Sequence, residues 1–76
     1  MDKINKKEIN RERFKKLATL RTNIVLKRLK VLGNCSNRSA YEYMEEDINK
    51  IFSEIERRVR EIKAKFHFPK NKEFKL

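Results

Sequence analysis

Lys3, Lys6, Lys7, Arg11, Arg13, Lys15 and Lys16 crowd the first sixteen residues of the chain. Cations at this density have an evident chemistry, the neutralisation of phosphates. Each phosphate neutralised releases condensed counterions, so such binding needs no readout of base sequence and weakens steeply with salt. Arg21 and Arg28 continue the series one heptad apart, and Arg38 follows among Asn34, Asn37 and Ser39. That last group makes a donor-rich corner suited to phosphate oxygens or base edges. The candidate nucleic-acid-binding set is therefore Lys7, Arg11, Arg13, Lys15, Lys16, Arg21, Arg28 and Arg38. Tyr41 and Tyr43, just beyond the corner, would stack on bases only if a ring face were exposed. The more ordinary expectation is that they pack over the end of a helical hairpin.

Catalytic chemistry is not expected. No Ser, Cys or Lys stands beside a base in a recognised nucleophile motif, and no glycine-rich phosphate loop is present. His67 is the one histidine and flanks two phenylalanines; Cys35 is the one cysteine. Neither an internal disulfide nor a zinc set can be built from them, so no metal and no cofactor are expected.

The distribution of charge sharpens the phosphate reading. Residues 1–38 hold twelve basic and three acidic side chains, a net of +9, whereas residues 39–66 hold six and seven, a net of −1. One end of the chain is a cation and the middle is self-balanced. A lysine-rich solvated surface without a partner would give the same pattern.

Helices must position these groups. With one glycine, one proline and 42% charged residues, the chain lacks the turn chemistry of a sheet and suits long solvated helices. Ile48, Phe52, Ile55, Val59, Ile62 and Phe66 recur at intervals of 4, 3, 4, 3 and 4, a heptad seam that Ile51 widens. Opposite the seam, Glu54 to Arg58, Glu56 to Arg60 and Glu61 to Lys65 are i,i+4 pairs in the favourable order. The start of this helix has two candidates. One is the acidic run Glu45, Glu46, Asp47 after Met44; the other is a Ser39/Glu42 capping box that would begin the helix near residue 40.

The first helix is expected over about residues 7–32, closed by Gly33 and Asn34 in the left-handed conformation. Its apolar residues form two rows, Leu17, Leu20, Ile24 and Val31 on one side, and Phe14, Ala18, Val25, Leu29 and Leu32 on the other. Arg21 and Arg28 lie between the rows, where an unpaired buried charge would cost several kcal/mol, roughly. They should therefore reach a carboxylate, a phosphate or water.

These features predict an all-α protein, an antiparallel two-helix hairpin with a turn at 33–39, a second helix over about 40–66 and a short C-terminal tail from residue 67. A single domain of 76 residues buries only roughly 60% of its unfolded surface, which leaves it near the limit of independent stability. With no disulfide or metal expected, the seam from Ile48 to Phe66 should associate with another chain, most simply as a homodimer of hairpins forming a four-helix bundle. The apolar runs fall far short of the ~20 residues that cross a bilayer. No hydrophobic leader stretch follows Met1, so a cytoplasmic protein without membrane attachment is expected.

Two functions fit. In the first, the basic helix and the Arg38 turn bind RNA or DNA through phosphates. In the second, the chain is an accessory or inhibitory interaction module, of the kind carried by mobile elements, that docks on an acidic protein surface or a nucleoprotein complex.

Overall fold

The computed structural model describes residues 6–68 and Leu76; Lys3, Pro69, Phe74 and the rest of 1–5 and 69–75 lie outside the described residues. The described chain is all-helical, with α1 at Lys6–Gly33, a 3-10 turn at Asn34–Ser36 and α2 at Glu45–Lys63. It divides into two compact units, Met1–Glu42 and Tyr43–Leu76.

In the first unit, α1 is built from strong helix formers, with Lys, Arg, Glu and Leu at most of its 28 positions. At 1.5 Å per residue it is about 42 Å long. Most of its apolar residues lie in two adjacent rows, but charged residues are interleaved with them, so α1 has no clean apolar face. Arg21 and Arg28 fall between the two apolar rows and break what would otherwise be one wide stripe. The helix end differs from the expectation. Gly33 has φ −58° and ψ −25°, and no described residue has a positive φ, so neither Gly33 nor Asn34 adopts the left-handed conformation. The helix instead runs through Gly33 and tightens into the 3-10 turn.

This geometry makes a clear prediction. A Cβ built on Gly33 meets nothing within 4 Å. Gly33→Ala is therefore expected to raise stability or helicity by about 0.5–1 kcal/mol, through the reduced freedom of the unfolded chain. A left-handed glycine would give the opposite sign, so thermal melts followed by circular dichroism decide between the two.

Asn37 organises the connection between the helices. Its backbone oxygen accepts the N–H groups of Ala40 at 3.1 Å and Tyr41 at 2.9 Å. Its Oδ1 accepts that of Ser39 at 3.0 Å. This Asx turn claims the backbone that a Ser39/Glu42 capping box would have used, and the second helix accordingly does not begin near residue 40. The connection runs over residues 34–44 rather than 33–39.

In the second unit, α2 starts at Glu45 with Met44 in extended conformation as its N-cap residue. Methionine is a poor cap, but Asp47 compensates: its Oδ2 accepts the Met44 N–H at 2.9 Å, the return half of a capping box. Glu45, Glu46 and Asp47 also place three negative charges at the positive end of the helix dipole. The helix ends at Lys63, three residues short of Phe66, where Lys65 and Phe66 donate to Ile62 and Lys63 at 3.0 Å in i,i−3 bonds. Unlike α1, α2 is strongly amphipathic. No helix of the described residues is long and apolar enough to cross a membrane.

Candidate nucleic-acid interface

All eight candidate phosphate-binding residues fall in the first unit, seven along α1 and Arg38 in the Asn37 turn, and all are exposed. At 3.6 residues per turn, Lys7, Arg11 and Lys15 succeed one another along one side of α1. Arg13 and Lys16 lie on roughly the opposite side, and Arg21 and Arg28 share the strip between the apolar rows, about 10 Å apart along the axis. The helix therefore does not collect its cations on one face; it is encircled by them. Lys27 and Lys30, the latter in the last turn where it suits the negative end of the helix dipole, fall on the same side as Lys16 and extend that side toward the C-terminal half. They lie outside the eight candidates, although their 11- and 14-residue intervals from Lys16 carry the signal.

Little in the first unit offsets this charge. α1 holds ten basic residues against Glu8 and Glu12. Lys15 approaches Glu12 at 3.9 Å, a distance at the outer limit of an ion pair, and both side chains are more than half exposed. The Arg11 guanidinium lies 5.9 Å from the centre of the Phe14 ring, at the edge of cation–π range. Among the described residues no carboxylate of the same unit pairs with Arg21 or Arg28, and both are exposed to water, so neither bears the cost of a buried charge.

The second unit treats its charges differently. Arg57 bridges Glu54 at 2.7 Å and Glu61 at 2.8 Å, and Arg58 reaches the same two acids at 3.1 and 3.7 Å. Hydrogen bonds from Arg57, then from Arg58, hold the Glu54 carboxyl below its ordinary range, and the bond to Glu54 raises Arg57 in turn. Of the expected i,i+4 pairs, Glu54 to Arg58 forms, while Glu61 turns to Arg57 and Arg58 instead of Lys65. Lys50 pairs with Glu46 at 3.5 Å. α2 thus neutralises itself where α1 does not.

The seam residues Ile48, Phe52, Ile55, Val59 and Ile62 share one stripe of α2, with Ile51 at its margin and Phe66 beyond the helix end. Ile48 and Ile55 are half-buried, but Phe52, Val59 and Ile62 keep about half of their surface in water, at 47, 56 and 53% exposure. Among the described residues no side chain is fully buried. Tyr41 is exposed and Tyr43 is half-buried. Cys35 is exposed. Among the described residues no three His, Cys, Asp or Glu side chains are grouped to hold a metal ion.

The fold and its surface thus define a small two-helix protein with a cationic first unit and an amphipathic second helix. No protein-family model matches the chain, and no similar curated protein or solved structure was found.

Proposed function

We propose that this chain is a non-catalytic, cytoplasmic nucleic-acid-binding protein that holds RNA or DNA mainly by its phosphates, through α1 and the Arg38 turn. The observation that carries the reading is the charge on α1, where ten exposed basic side chains stand against two acids. Cations spread around a helix suit a groove better than a flat surface, because phosphates flank a helix in a groove on both sides. A helix with its side chains is about 10–12 Å across and the major groove of B-DNA about 12 Å wide. An exposed free thiol at Cys35 is compatible with a reducing compartment.

Two structural elements complete the proposal. α1 and α2 fold back as an antiparallel hairpin, and two hairpins associate through the α2 stripe as a four-helix bundle. The exposure of Phe52, Val59 and Ile62 supports the association, since a helix with a continuous apolar stripe is stable in water chiefly when that stripe is packed.

A salt titration tests the binding itself. With six to eight phosphate contacts, affinity for a mixed-sequence oligonucleotide should fall on the order of 10³–10⁴-fold between 50 and 200 mM salt. An affinity that holds constant across this interval removes the reading.

The same cationic surface of α1 also suits a second function, an accessory or inhibitory module that docks on an acidic protein surface or a nucleoprotein complex. Nuclease treatment separates the two, because a complex with protein survives digestion and one held together by nucleic acid does not.

A further inference from the structure

α2 is polarised along its length as well as around its circumference. Residues 45–54 carry Glu45, Glu46, Asp47 and Glu54 against Lys50, a net of −3. Residues 55–65 carry Arg57, Arg58, Arg60, Lys63 and Lys65 against Glu56 and Glu61, a net of +3. Compensation of the helix dipole accounts for acids in the first turn and bases in the last. Whatever its origin, the polarity decides how two such helices can meet.

We infer that the apolar stripe of α2 is covered by α2 of a second copy of this chain running antiparallel. This rests on the self-association proposed above and adds its contact and its direction. A parallel pair would lay the −3 half on another −3 half and the +3 half on another +3 half. An antiparallel pair lays each on its complement and opposes the two helix dipoles. The seam has the symmetry this needs: its intervals of 4, 3, 4, 3 and 4 read the same in both directions. Reversed on itself, the seam sets Phe52 against the partner's Ile62 and Ile55 against the partner's Val59, while Ile48 falls level with position 66, past the end of the partner's α2. Each layer then joins two different side chains of one chain, whereas a parallel pair would force Phe52 onto its own copy. α1 has no comparable stripe, because Arg21 and Arg28 interrupt its apolar rows.

Two like-charge meetings near the twofold axis work against the arrangement. Arg58 faces the partner's Arg58, but each is already bound to Glu54 at 3.1 Å and Glu61 at 3.7 Å on its own helix. Glu56 faces the partner's Glu56, a repulsion that the complementary ends must exceed.

The test uses the full chain carrying Cys35→Ser, with a spin label at Asn49→Cys, an exposed position beside the stripe. In this register residue 49 stands level with residue 65 of the other copy, so two labels are separated by 16 residues of rise, about 24 Å. A pulsed dipolar measurement on the dimer should give a distance of about 25 Å. A distance near 10–15 Å means parallel helices and overturns the direction while leaving the dimer intact. One well beyond 35 Å means that α2 does not meet its own copy, which overturns the contact. A monomeric mass by sedimentation equilibrium overturns the self-association on which both depend.

Discussion

Replacing Lys15, Lys16, Arg21 and Arg28 together with glutamine is expected to lower affinity for a mixed-sequence oligonucleotide on the order of a hundredfold or more at 100 mM salt. It should also flatten the logarithmic salt dependence by three to four units, roughly 0.9 for each phosphate no longer neutralised. The four side chains sample both the lysine sides of α1 and the arginine strip between the apolar rows, so no single face can compensate. They are exposed, and among the described residues no carboxylate of their unit except Glu12, at 3.9 Å from Lys15, pairs with them. Their removal therefore leaves no buried acid unpaired, and helicity should be retained. A control on α2 gives the comparison its meaning. Lys50 and Arg57 are already paired with Glu46, Glu54 and Glu61, and neutralising those two should change affinity less than about threefold. Equal losses from both variants would mean that total charge acts without any localised surface.

Ile55→Ala is expected to weaken self-association about a thousandfold, read as the dimer dissociation constant by sedimentation equilibrium. Ile55 sits at the middle of the α2 stripe and is already half-buried, so it is the seam residue with the most central place in any helix pair. Truncating a buried Ile to Ala costs about 2–5 kcal/mol, and a symmetric interface bears that cost twice, so even the low figure gives about 4 kcal/mol. At 1.4 kcal/mol per factor of ten, that is nearly three decades. Val25→Ala on α1 supplies the contrast, because its helix lacks a continuous stripe and Val25 is more than half exposed. If Ile55→Ala leaves the dissociation constant unchanged, the stripe is not the dimer contact.

These two experiments address separable units, and the separation is legible in the amino-acid order. The charge imbalance between residues 1–38 and 39–66 nearly coincides with the division at Glu42 and Tyr43. α2 is readable from its intervals alone, because apolar side chains recurring every 3.5 residues line up on a helix and on no other regular backbone, and its charged residues fall on the remaining surface. The positions of the cations are equally readable, but their encirclement of α1 emerges only when each is placed on the helix. A linear list of basic residues does not distinguish a stripe from a ring.

The joints between elements are less legible, and local hydrogen bonding is the reason. Gly33 invites a left-handed close, yet the helix runs on through it because Asn34–Ser36 can absorb the ending as a tighter turn. Ser39 and Glu42 have the spacing of a capping box, but Asn37 engages the Ser39, Ala40 and Tyr41 N–H groups first. Met44 offers no oxygen with which to cap, and Asp47 supplies the missing bond from inside the helix. Around Ser39 two short-range motifs compete for the same backbone donors, and such alternatives differ by about 1 kcal/mol or less, too little for residue type to decide.

Composition and periodicity by themselves determined that this chain is helical, that its positive charge is concentrated ahead of residue 39, and that one helix carries a continuous apolar stripe. These properties sum over many residues, so no single interaction can reverse them. The three-dimensional structure alone decided where α1 ends, where α2 begins and that the stripe is half exposed within the single chain. Those outcomes depend on which individual donor meets which acceptor and on what lies beside each side chain in space, neither of which a linear pattern encodes.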